Sequence, residues 1–160
     1  MMENIFYGKH RRIFLTVYIV LLVLWLSFIF YNSASNGAKS TQQSDRVVKI
    51  LLSVLRKFDS EAMVDATVVR TTAHFTEFFI LGFLYCIGSF FIKASRLSLF
   101  FHSLSLSLFT AFADETIQLF SAGRGAEVTD IWTDFLGAVT AHIVIFAIYY
   151  SYKHFKTASK

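Results

Sequence analysis

Cysteine occurs once, at Cys86, and proline not at all. A single cysteine closes no internal disulfide, which excludes a disulfide-stapled secreted scaffold. Charge is scarce as well: 16% of the 160 residues are Asp, Glu, Lys or Arg, against about 25% in an ordinary soluble domain. With 55% of the residues hydrophobic, too few polar groups remain to cover a water-soluble ball. No repeat, low-complexity segment or second domain is visible, and the length suits one domain over residues 1–160. The formal charge of +4 would suit a nucleic-acid binder only if the basic residues formed one polar surface. They sit largely between long apolar runs, which argues against nucleic acid and for membrane flanks.

What the chain does have is long hydrophobic stretches. A bilayer core about 30 Å thick takes roughly 20 apolar residues in a helix. Four such stretches lie at about residues 13–31, 73–92, 97–119 and 131–152. The expected fold is therefore all-α, a polytopic membrane helix bundle with about four transmembrane helices. The first run follows Lys9, His10, Arg11 and Arg12 and has small residues beyond it, as a secretory signal does. It is longer than the roughly 7–15 apolar residues of a signal, so an uncleaved anchor is expected. Ser103, Ser105 and Ser107 alternate like a strand, but the runs are twice the length of a barrel strand. Residues 44–58 space Val47, Val48, Leu51, Leu52, Leu55 and Phe58 as an amphipathic helix. Ser40 with Gln43 is one candidate cap for it, and Ser44 or Asp45 another. Such a helix lies along the headgroups or caps the bundle.

Basic residues divide almost evenly between the two sides. Those at the termini and in the second loop (Lys9, Arg11, Arg12, Lys93, Arg96, Lys153, Lys156, Lys160) hug the apolar runs. That clustering favours a cytoplasmic location for both termini, in a bacterial cytoplasmic membrane. Ten of the eleven acids fall in the opposite half, Glu3 being the exception.

Several of those acids enter or border the spans at one depth. At 1.5 Å per residue, His74, Asp114 and Asp134 each stand about 27–28 Å from the basic residue ending their span, and Glu77 about 24 Å. A charge there is costly unless it is paired or faces a water-filled cavity. The pairs His74/Glu77, Asp114/Gln118 and Asp130/Asp134 are three or four residues apart and share helix faces, and Arg70 lies four before His74. Gly123-Arg124-Gly125 offers a turn with exposed N–H groups and a guanidinium, which suits phosphate or carboxylate.

These residues also carry a resemblance. Arg70-Thr-Thr-Ala-His74-Phe-Thr-Glu77, then Asp114-Glu115-Thr-Ile-Gln118, then Arg124 and Asp130-Ile-Trp-Thr-Asp134-Phe-Leu-Gly137 resemble the signature blocks of VanZ-like membrane proteins. Residues 25–44 are similar to that family's first block, so the likeness covers roughly residues 25–141. It implies a bacterial multi-span membrane protein. The family is named for an accessory factor associated with resistance to the glycopeptide teicoplanin.

The expected catalytic residues are His74, Glu77, Asp114, Glu115 and Asp134. The expected substrate- or anion-binding residues are Arg70, Gln118, Arg124 and Asp130. His74 and Glu77 read either as an acid/base pair or as a polar clasp between helices. Asp114 and Glu115 read as site residues or as the polar end of a span. Arg70 and Arg124 suit pairing with the acids or anchoring an anionic headgroup. No cofactor is expected: one His with carboxylates can hold a divalent metal, but the order is His-x-x-Glu and two arginines lie near. His102 and His142 are expected to be packing residues, Cys86 a buried small residue, and Gly82, Gly88, Gly137 and Ala141 sites of close helix approach.

The leading functional expectation is an outer-leaflet pocket that binds a phosphate-containing lipid headgroup or a lipid-linked cell-envelope precursor, with hydrolysis or transfer as the reaction. The runner-up is a non-catalytic accessory protein that alters access of a glycopeptide or lipopeptide to the cell surface. A transporter is disfavoured because the acids gather at one interface.

Overall fold

In a computed structural model, residues 10–92 and 94–158 are described; Lys9, Lys93 and Lys160 of the basic flanks, and Glu3, lie outside them. The described residues form five helices and no strand: α1 (Arg11–Ser33), α2 (Gly37–Leu55), α3 (Ala66–Ser89), α4 (Arg96–Leu119) and α5 (Val128–Ala158). Three of them, over Arg11–Ser33, Leu97–Leu119 and Val128–Tyr152, are long and apolar enough to cross a membrane. Their outward faces carry large apolar side chains such as Val17, Leu24, Phe109 and Ile143. A surface of that kind is stable against lipid rather than water.

α3 was expected at 73–92 and is found at Ala66–Ser89. Its start moves outward because Asp65 caps it, accepting from Thr67 N at 2.8 Å. The polar turn from Thr67 to Thr72 therefore extends the helix beyond the apolar run. His74, Thr76 and Glu77 interrupt that run. α3 nevertheless runs the length of the bundle. Arg11 Nη2 at the start of α1 donates to Phe91 O just past its end, at 3.2 Å. At its middle Glu77 meets Asn32 at the close of α1. α3 packs against all four other helices, most extensively α5.

The α3–α5 contact is set by small residues. A Cβ on Gly82 would meet the backbone of Ala138, and one on Gly137 would strike the Phe75 carbonyl. Ala138 and Ala141 are fully buried, so the two helices approach to backbone distance as their small residues allow. Ile29, Phe78, Leu81 and Ala111 make the apolar core, with Leu22, Trp25 and Tyr85 around it. Deeper polar groups are paired: Ser103 Oγ lies 2.6 Å from His142 Nε2, and His142 Nδ1 lies 2.7 Å from Ala138 O. His142 is thus the buried packing residue expected, whereas His102 is exposed against its own helix's Ser98 O.

α2 also begins earlier than its expected 44–58. Asn36 caps it, accepting from Lys39 N at 2.9 Å, so neither Ser40/Gln43 nor Ser44/Asp45 starts the helix. The tertiary structure fixes this start: Gly37 N donates to Ala122 O at 2.9 Å in the α4–α5 loop. Gly37 and Gly123 touch there backbone to backbone, and Gly123 has a positive φ of 73°.

Candidate functional site

Three helices contribute a pair of polar residues four apart, and the pairs stack into two rings. Arg70 on α3, Gln118 on α4 and Asp130 on α5 form the outer ring. Arg70 Nη2 donates to Asp130 Oδ2 at 3.1 Å and more weakly to Gln118 Oε1 at 3.5 Å. One turn deeper, as 3.6 residues per turn requires, stand His74, Asp114 and Asp134. His74 Nδ1 lies 3.2 Å from Asp134 Oδ1. Gln118 Nε2 donates to Asp114 Oδ2 at 2.8 Å, linking the rings. Asp114 and Asp134 are 1% and 0% exposed, so two carboxylates are fully buried beneath the outer ring.

The remaining expected site residues are placed around these rings. Glu77 does not pair with His74. Its Oε1 accepts from Asn32 Nδ2 at 3.2 Å, while Trp25 Nε1 donates to its backbone carbonyl at 3.0 Å. Although three residues separate His74 and Glu77, Glu77 turns toward α1 and His74 toward α5. Glu115 is buried, and its Oε1 accepts from Glu127 N, which pins the α4–α5 loop. Arg124 Nη1 donates to the last carbonyls of α1, Asn32 O at 2.9 Å and Ser33 O at 3.4 Å, and so closes a helix C-terminus rather than pairing with an acid. Burial, and after it the nearby Arg70, pulls the Arg124 pKa below the usual arginine value against the attraction of Asp114, Glu115 and Asp130. An arginine so shifted still keeps its proton.

α1 supplies residues that were not expected in the site. Ser33 Oγ hydrogen-bonds Asp114 Oδ1, and Ser121 Oγ donates to Ser33 O at 2.9 Å. Asn32 and Ser33 follow directly on the apolar run at the depth of the acids, which is the signal that marks them.

Two openings flank α3 at this end. A polar cleft of about 620 Å³ lies above the outer ring, lined by Arg70, Arg124, Asp130, Thr133, Ser40 and Thr41. Arg70 Nε and Arg124 Nε are buried donors without a hydrogen-bond partner among the described residues. An apolar groove of about 470 Å³ lies between α1, α2 and α3, lined by Trp25, Phe28, Val47, Leu51 and Val68, with Glu77 at its wall. α2 borders both openings. Two cationic side chains with spare donors beside an apolar trough can receive an anionic group joined to a hydrocarbon chain.

No curated protein and no solved structure matches the chain. The family model described as VanZ/LLP1 matches residues 18–149, a stretch that contains both rings, the α1 residues behind them and the clefts on either side of α3, and the chain belongs to that family of helical membrane proteins.

Proposed function

We propose that the protein binds a phosphate-containing lipid headgroup, or that of a lipid-linked envelope precursor, in the polar cleft, with the acyl chain in the apolar groove. The observation that carries this reading is the pairing of the two openings across α3: Arg70 and Arg124 line one and Trp25, Phe28 and Leu51 the other. Charge-assisted bonds from guanidinium to phosphate are among the strongest single contacts available. The proposed topology has four crossings, counting α3, with both termini in the cytoplasm and the cleft open to the outer leaflet of a bacterial cytoplasmic membrane.

The proposed reaction is hydrolysis or transfer of the headgroup, worked by the inner ring. Asp134 orients the imidazole of His74, whose other nitrogen is left to handle a proton. Asp114, held by Ser33 and Gln118, supplies a fixed negative wall. Glu77 and Glu115 act as positioning residues, one for α1 and one for the loop.

Purified protein in lipid nanodiscs tests this reading with a panel of phospholipids and lipid-linked saccharides. Arg70→Gln and Arg124→Gln are each expected to weaken headgroup binding by roughly 10- to 100-fold, the worth of one charged hydrogen bond. His74→Gln is expected to abolish turnover while sparing binding. A panel with no binder sinks the reading. Binding without turnover in the unaltered protein favours instead an accessory protein that changes access of glycopeptides such as teicoplanin, or of lipopeptides, to the cell surface.

A further inference from the structure

His74, Asp114 and Asp134 come from three different helices, yet one ligand-type atom from each lies within 4.8 Å of the other two. Nitrogen and oxygen ligands bound at about 2.0–2.2 Å stand roughly 3–4.4 Å from one another around a single ion. The His74–Asp134 separation of 3.2 Å already falls in that range. The widest separation requires a closure of only a few tenths of an ångström.

Charge points the same way. The two carboxylates are buried, and neither nearby arginine contacts the trio: Arg70 bonds to Asp130 and Gln118, and Arg124 to the Asn32 and Ser33 carbonyls. The charge of Arg70 is thereby paired with Asp130. A protonated His74 would balance only one of the two negative charges. Independently, Asp134 Oδ2 has no hydrogen-bond partner among the described residues although the side chain is 0% exposed. A buried carboxylate oxygen without a donor is costly in a low-dielectric interior. Asp114 in turn is held by Ser33 and Gln118, contacts that fix a carboxylate while leaving lone pairs for a further bond.

We propose that His74, Asp114 and Asp134 bind one divalent transition-metal ion of the Zn²⁺ or Mn²⁺ class. The remaining positions lie beneath the outer ring and take water or a headgroup oxygen. One imidazole with two carboxylates suits these ions, whereas Ca²⁺ requires six to eight oxygens. With the ion present, His74 is a ligand, and activating water falls to the metal. This deepens the reading of the inner ring given above, but the ligand set stands without the headgroup.

The test is made on the full chain in detergent, without added lipid, after chelation and desalting. Titration with Zn²⁺ or Mn²⁺ alone is expected to reach one equivalent per chain and to raise the thermal midpoint. His74→Gln, Asp114→Asn and Asp134→Asn are each expected to lower affinity at least tenfold, and Asp45→Asn, on the exposed face of α2, to leave it unchanged. The pulsed spin resonance of bound Mn²⁺ is expected to show coupling to one imidazole nitrogen, a readout that needs no variant to fold. No stoichiometric uptake, equal affinity in all variants, or no nitrogen coupling overturns the site. Because lipid is absent, such a result leaves headgroup binding as a separate question decided by the nanodisc panel.

Discussion

Ser33 shows how much of the site's order comes from residues that do no chemistry. Its hydroxyl meets Asp114, whose other oxygen accepts from Gln118, whose own carbonyl faces Arg70. That chain joins the end of α1 to both rings. Ser33→Ala removes the bond to one buried carboxylate oxygen, at a cost of about 1–3 kcal/mol. A lower thermal midpoint in detergent is expected, and an unchanged one would show that the contact contributes nothing. The four-residue spacings of Arg70/His74, Asp114/Gln118 and Asp130/Asp134 made the stacked pairs legible in the sequence. Their partners were less so. His74 and Glu77 share a helix side by spacing alone, yet the packing of Trp25 and Asn32 draws Glu77 to a different neighbour, and no local pattern encodes that choice.

Among the helices, α3 is the element on which the site depends. Its contact with α5 is made where glycine and alanine let backbones meet, and this brings His74 within reach of Asp134. A side chain at Gly137 would press on the Phe75 carbonyl, so Gly137→Val is expected to destabilise the bundle by about 1–3 kcal/mol or more. It should also weaken any ligand of the inner ring, which requires the two helices at this spacing. A Cβ at Gly125 meets nothing within 4 Å among the described residues, so Gly125→Ala serves as the neutral comparison. Thermal melting of the two variants side by side checks the contrast. Hydropathy located α1, α4 and the apolar part of α5 well, because lipid-facing runs are read directly from composition. It misplaced the starts of α2 and α3. Those starts are set by Asn36 and Asp65 caps and by the Gly37–Ala122 contact, which lie in polar sequence where hydropathy carries no signal.

The whole molecule turns an apolar coat outward and gathers its buried acids at one end of the bundle. The proposed orientation assigns that end to the cell exterior, and it is testable because Cys86, the native cysteine, is buried. Gly125→Cys, in the α4–α5 loop, should react with a membrane-impermeant maleimide in intact cells. Ala94→Cys, in the α3–α4 connection, should react only after permeabilisation. The opposite pattern would invert the topology and place the cleft in the cytoplasm.

The closure of α1 against the site bears on the fate of that helix. Its sequence has the look of an export leader, with a basic start, an apolar middle and small residues beyond. Yet Trp25, Asn32 and Ser33 bond to α3 and α4, and its last carbonyls hold Arg124. Excising it would uncap Arg124, take the Ser33 donor from Asp114 and the Asn32 donor from Glu77, and open the apolar groove along one whole side. The segment that most resembles disposable targeting material is thus a wall of the chamber, and the chamber is assembled only while that wall stays attached.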